Sequence, residues 1–185
     1  MIILASASPR RREILGRFFE IKVVPSNVSE ESNAEKPEEK AIEIARRKAL
    51  SIASSYPNDT IVAADTMVVF ENSIMGKPRD ESEAREMLRM LSGRVHKVIT
   101  GYCIIHRGKR MEGYEVTEVK FRELDEELIG WYIKTGEWKD KAGAYGIQGY
   151  ASVFVEWIKG DYYNVVGLPI KVVVELIKLG LKPKT

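Results

Sequence analysis

Cysteine occurs once in this 185-residue chain, at Cys103, and histidine twice, at His96 and His106. A single thiol excludes a disulfide framework and a thiolate metal cluster, and it fits a reducing, cytoplasmic setting. Cys103 itself lies in the apolar stretch Gly101-Tyr102-Cys103-Ile104-Ile105, a strand pattern in which it fills core. Both histidines fall on one expected strand, residues 95–106. At roughly 3.3 Å per residue they stand on the order of 33 Å apart, so they cannot share a metal, and a Ser-His-Asp triad would need one of them bent far from this strand. Long apolar runs are missing too, and the first short one passes straight into arginines, so neither a membrane span nor a secretory signal is expected. Nor is one sign of charge in excess: 29 Lys+Arg against 27 Asp+Glu leave a net +2, with no polybasic face for nucleic acid. Any cationic site must be local. Glutamine occurs once, at Gln148, beside plentiful Lys and Glu, a usage common in thermophilic proteins.

What the chain does contain is enough apolar residue, 44%, for one good core, and enough charge, 30%, for a water-exposed surface. One folded unit over 1–185 is expected. It opens on Ile2-Ile3-Leu4-Ala5-Ser6-Ala7-Ser8-Pro9-Arg10-Arg11-Arg12, which reads as buried strand, tight loop and helix start, with Ser8 as N-cap and Pro9 at the first helical position. Three arginines in a first helical turn oppose the positive end of the helix dipole. Either they sit on a solvated surface, or free amides, serine hydroxyls and guanidinium forks converge on a phosphate.

Residues 38–56 carry Ala41, Ala45, Ala49 and Ile52 at helical spacing, and Lys48 shares that apolar face. Such a lysine either snorkels its ammonium to water or is aimed at a ligand's negative charge. Residues 60–70 form the most apolar run, expected as a central strand, and Asp65 interrupts it. A carboxylate there calls for a cation, a metal or a catalytic task, the alternative being a bulge or strand end. Between these elements the acidic loop at 27–32 is by default a solvated connector, though Glu30 or Glu31 has the hard oxygen chemistry of a Mg²⁺ or Mn²⁺ ligand. Lys77 sits between Gly76 and Pro78 on a loop, and Asp80 with Glu83 makes a capping-box start to the next helix. Three glycines in the stretch 143–149 let the backbone approach a flat ligand, or make an ordinary turn-rich connector.

Strands are expected at 2–4, 19–24, 60–70, 95–106, 115–121, 153–158 and 162–166, with 95–106 and 115–121 joined as a hairpin around Arg107-Gly108-Lys109. Helices are expected from Pro9, over 38–56, after Asp80, after Asp125 and after Pro169. Early alternation of strand and helix followed by hairpins predicts an α/β fold, a mixed twisted sheet with flanking helices. The exposed aromatics Trp131, Trp138 and Trp157 would permit a homodimer.

Four ordered motifs carry a resemblance: Ser6-Ala7-Ser8-Pro9-Arg10-Arg11, Ala64-Asp65-Thr66, Gly76-Lys77-Pro78-Arg79 and Ala142-Gly143-Ala144-Tyr145-Gly146-Ile147-Gln148-Gly149. Together they resemble the Maf family of nucleoside triphosphate pyrophosphatases from Met1 to about Ile177. The resemblance implies an elongated, two-lobed single domain with a central cleft, similar to the inosine triphosphatases. It implies hydrolysis of a nucleoside triphosphate, normal or modified, to the monophosphate and pyrophosphate with a divalent metal, Mg²⁺ or Mn²⁺. Matched residue by residue, Ser8, Arg11, Lys48 and Lys77 fall on phosphate-binding positions, Asp65 on the general base, and Glu30 with Asp65 on the metal-side acids. Arg10, Thr66 and Gln148 look like the subgroup that acts on dTTP and UTP. By analogy alone, the family also suggests a nucleotide-sensing regulator of cell division that works through a protein partner.

Overall fold

The computed structural model describes residues 1–185. Seven strands and six α-helices follow one another as β1 (Ile2–Leu4), α1 (Pro9–Phe18), β2 (Ile21–Val23), α2 (Pro37–Ala53), β3 (Thr60–Phe70), β4 (Ser73–Met75), α3 (Glu81–Leu91), β5 (Val95–His106), β6 (Lys109–Phe121), α4 (Glu126–Lys134), β7 (Val155–Lys159), α5 (Tyr162–Val166) and α6 (Ile170–Lys178). The strands form one mixed sheet in the order β2-β1-β3-β5-β6-β7, with β4 paired to β3. This is the α/β architecture expected. No helix is long and apolar enough to cross a membrane.

The chain divides into two compact units, each assembled from separate segments. The first comprises Met1–Thr66, Ile99–Glu115 and Tyr163–Thr185. Here β1 pairs in parallel with both β2 and β3, Ile2 opposite Ile21 on one side and Thr60 on the other. Parallel neighbours need crossover connections, which α1 and α2 supply. Helix α1 starts where its chemistry says it should: Ser8 accepts from the Arg11 N–H, and Pro9 occupies the first turn. Helix α2 lays Ala45, Ala49 and Ile52 on Ile3, Ala5, Ile61, Ala63 and Cys103, all buried. Burying a residue such as Ile3 or Ile61 contributes about 1.5–3 kcal/mol. The helix rides so close to β5 that a Cβ on Gly101 would lie 2.3 Å from the Ala41 carbonyl carbon.

The second unit comprises Met67–Val98 and Val116–Tyr162. The end of β3 turns back into β4, pairing Val68 with Met75. A turn is expected at Glu71-Asn72-Ser73, and the chain turns there through Glu71 and Asn72, at φ 47° and 68°. What the sequence expectation lacks is the return strand: it places Ile74 and Met75 in a loop, since three residues carry too little pattern to mark a strand. Asp80 caps α3 by accepting from Glu83 N–H at 2.8 Å, and Asp125 caps α4 by accepting from Leu128 N–H at 2.8 Å. Strand β7 pairs with β6 antiparallel. It is preceded by a 3₁₀ segment, Tyr150–Phe154, where the expected strand had begun at 153.

One element is of the wrong type in the sequence reading. Residues 162–166 were expected as a strand on the strength of Tyr162, Tyr163, Val165 and Val166, yet they form α5. Propensity is overridden by burial: Asn164 is fully buried and donates through Nδ2 to the Glu115 carbonyl, 3.2 Å away. Gly167 ends the turn at φ +139°, its N–H and that of Leu168 both bonded to the Tyr163 carbonyl at 3.0 Å.

Candidate active site

Two successive residues of β3 face two different partners in the first unit. Asp65 is buried and accepts from Lys48 Nζ at 3.2 Å. The same ammonium lies 3.3 Å from the Ala64 carbonyl and 3.3 Å from Glu30 Oε1. An ammonium has three N–H donors, and here three acceptors surround it. The lysine neither snorkels nor stands free; it gathers two carboxylates. Of the two acids in the loop, Glu30 is the one beside it, while Glu31 receives Arg47 at its backbone carbonyl, 2.8 Å away. Burial pushes the Asp65 carboxyl above its usual range, against the lowering influence of Lys48 and Arg11 and with a smaller raising one from Glu30.

Thr66 faces the amino-terminal corner. Arg11 is buried, and burial lowers the affinity of its guanidinium for the proton, with Asp65 acting in the opposite direction. Its Nε donates to the Gly167 carbonyl at 2.7 Å, Nη1 to Ser6 Oγ at 3.3 Å and Nη2 to Thr66 Oγ1 at 3.0 Å. Those bonds use three of five N–H groups. A cation desolvated this way, with no carboxylate in direct contact, keeps a strong field for an anion. Ser8 carries the N-cap bond to Arg11 N–H at 3.3 Å, Arg10 is half-buried beside it, and Arg12 points to solvent.

The first unit therefore brings together Ser8, Arg10, Arg11, Glu30, Lys48, Asp65 and Thr66. Lys77 and Gln148 belong to the second unit, where both side chains are exposed. Their loops are tied to each other: Gly143 N–H donates to the Gly76 carbonyl at 3.1 Å. The glycine-rich segment bends there through two successive left-handed residues, Gly143 at φ 69° and Ala144 at φ 70°. Such a conformation is strained for alanine by about 1–2 kcal/mol. Tyr132 holds it by donating its hydroxyl to the Ala144 carbonyl at 2.8 Å, and Tyr145 joins His96 Nε2 at 2.5 Å. Past Gln148, the Glu137 carboxylate accepts from the N–H groups of Tyr150 and Ala151 at 2.8 and 3.1 Å.

Several of these supporting groups carried no signal in the sequence. Glu137 and Tyr132 reach their loop across 12 or more residues, and Gly167 and Thr100 act on Arg11 and Thr66 from distant elements. Only the run Val165-Val166-Gly167-Leu168-Pro169, with a glycine before a proline, hinted at a specific turn.

A divalent cation fits this donor set. Asp65 and Glu30 turn one oxygen each toward the same ammonium, and magnesium is ordinarily held by one or two carboxylates together with substrate phosphates rather than by an all-protein cage. No cluster of three histidine, cysteine or acidic side chains accompanies them.

Comparison with known proteins adds to the geometry. The profile of the family described as "Maf-like protein" matches residues 1–179. The chain is 74% identical over 184 residues to a protein of Pyrococcus horikoshii named dTTP/UTP pyrophosphatase, with 100% of this chain and 99% of that protein covered. A protein of the same name from Clostridioides difficile is 49% identical over 183 residues, covering 96% and 93%. Among solved structures, the Staphylococcus aureus Ham1 protein aligns with 65% of this chain and 71% of its own at a TM-score of 0.45 and 15% identity.

Proposed function

Because the chain belongs to the family of Maf-like proteins, we infer that it hydrolyses a nucleoside triphosphate to the monophosphate and pyrophosphate, with dTTP and UTP preferred. Relatives bearing that activity in their names, at 74% and 49% identity over nearly the whole length, support the substrate class. The observation that carries the chemistry is the pairing of a buried, proton-attracting carboxylate, Asp65, with the cations Lys48 and Arg11 in one corner of the sheet.

In this reading the start of α1, with Ser8, Arg10 and Arg11, receives phosphate oxygens, since helix N-terminal amides and guanidinium forks match their charge and geometry. Lys48 neutralises further charge of the triphosphate, and fixing it in line for attack lowers the barrier by avoided reorganisation. Asp65 accepts the proton of the attacking water as the water oxygen bonds to the α-phosphorus. The bond from that phosphorus to the bridging oxygen breaks, and pyrophosphate leaves. Burial that raises the Asp65 carboxyl moves it toward the range in which a general base works at neutral pH. Asp65 and Glu30 would hold a Mg²⁺ or Mn²⁺ ion, which supplies charge neutralisation at the phosphates. Thr66 reads the base, offering an oxygen to a pyrimidine edge.

The test is product analysis with purified protein, a panel of canonical and modified triphosphates, and either metal. Monophosphate and pyrophosphate in equal amounts, fastest with dTTP and UTP, is the expected result. Release of orthophosphate, or tight binding without turnover, overturns the reading.

A further inference from the structure

The Thr66 hydroxyl ends a hydrogen-bonded chain whose other members are buried. Arg11 Nη2 donates to it at 3.0 Å, Thr100 Oγ1 lies 2.9 Å from it, and Thr100 Oγ1 in turn stands 3.2 Å from the Asn164 carbonyl. Thr100 and Asn164 are fully buried, while Thr66 keeps partial access to solvent. A guanidinium only donates and a carbonyl only accepts, so the two ends of the chain set the direction of every proton between them. Thr100 gives its proton to the Asn164 carbonyl and accepts from Thr66; Thr66 gives its proton to Thr100 and accepts from Arg11. The reverse order, with Thr100 donating to Thr66, would put the oxygen lone pairs of Thr100 and Asn164 face to face at 3.2 Å. A hydroxyl oxygen has two lone pairs. Arg11 takes one, which leaves Thr66 a single outward acceptor and no outward proton.

We propose that Thr100 is a positioning residue that locks Thr66 as a pure acceptor, so that Thr66 selects a base with an N–H at the position it faces over one with a lone pair there. Uracil and thymine carry N3–H; cytosine has a bare N3. The proposal rests on Thr66 being a base-reading residue of the pyrophosphatase site. Thr100→Val keeps the shape of the side chain and removes the lock. The nearest other acceptor for the Thr66 proton is the Gly167 carbonyl, 3.5 Å away and already bonded to Arg11 Nε, too far to hold the proton firmly. The freed hydroxyl then turns its proton toward the N3 of cytosine.

The experiment compares UTP with CTP in the wild type, Thr100→Val and Thr100→Ser, by kcat/KM for pyrophosphate release and by calorimetric Kd. In Thr100→Val the preference for UTP over CTP falls by roughly three- to ten-fold, the size of one net hydrogen bond, and Thr100→Ser keeps the wild-type preference. An unchanged ratio in Thr100→Val, an equal loss for both nucleotides, or a wild type that prefers CTP overturns the proposal. Should Thr100→Val fail to fold, Thr100→Cys, whose thiol is a weak acceptor, carries the same comparison. If the wild type binds both nucleotides without hydrolysing either, the pyrophosphatase reading falls, while the Kd ratios still decide the role of Thr100.

Discussion

Replacing Asp65 by asparagine separates what this residue does for catalysis from what it does for the fold. Asparagine matches the carboxylate in shape and retains an oxygen for Lys48, whose ammonium lies 3.2 Å from Oδ1. The charge-assisted part of that bond is lost, and such bonds contribute about 1.5–3 kcal/mol. Against this stands the desolvation of an ionised carboxylate, several kcal/mol for a group so placed. The sign of the balance is given by the carboxyl itself: burial outweighs Lys48 and Arg11 and raises its pKa, so the surroundings favour a neutral group over a charged one. Stability at neutral pH should therefore change by no more than about 1 kcal/mol in the unfavourable direction, or about 2–4 °C in Tm for a chain of this size. Hydrolysis should fall by roughly 10²- to 10⁴-fold, the range of a lost general base. The assay is pyrophosphate release from dTTP beside a melting curve in chelating buffer. Turnover close to wild type would remove Asp65 from the mechanism. A loss of more than about 3 kcal/mol of stability, roughly 6–12 °C, would instead make it a structural ion-pair partner and refute the reasoning.

Three further perturbations have definite signs. Lys48→Met leaves Asp65 and Glu30 without their shared cation. Since Lys48 is the strongest influence holding the Asp65 carboxyl down, the acid limb of the pH–rate profile should move to higher pH, and kcat/KM should fall on the order of a hundred-fold. His96 is buried, and burial pulls its pKa from 6.5 down to about 4. It is therefore neutral when folded and protonates more readily when unfolded, so its contribution is full above pH 6.5 and is lost as pH falls through about 4. Urea titrations across that window should lose about 3 kcal/mol, and a His96→Gln variant, which retains a partner for Tyr145, should show a flatter profile. Gly101→Ala drives a methyl to within 2.3–2.6 Å of the α2 backbone at Ala41 and Ile42. It should cost about 3 kcal/mol by denaturant unfolding, and a neutral result would mean that α2 moves away from β5 freely.

Local chemistry was written plainly in the chain. Ser8-Pro9, Asp80 and Asp125 each placed a helix start, because a cap acts on amides only two or three residues away. The apolar run at 60–70 named the central strand, and the carboxylate that interrupts it named Asp65, because a charge in oil needs a reason wherever the rest of the chain goes. Pattern reading went astray where neighbours outweighed propensity. Tyr162, Tyr163, Val165 and Val166 are strand formers, yet Asn164 is anchored in the interior and the segment closes as a helix.

The candidate site divides along the same line. Arg10, Arg11, Lys48 and Asp65 stood out as candidates by position and pattern, since burial cost and helix-end electrostatics are properties of short stretches, whereas Glu30 lay in a loop read by default as a solvated connector and was singled out by the family resemblance. The wiring of the site could not be read in this way: that Lys48 bridges two acids rather than standing free, that Gly167 and Ser6 bind Arg11, and that Thr100 turns the Thr66 proton inward all depend on groups separated by tens of residues. Hydrogen bonds and ion pairs act over about 3 Å, so which acceptor meets which donor is settled only when the folded sheet brings distant segments within that reach.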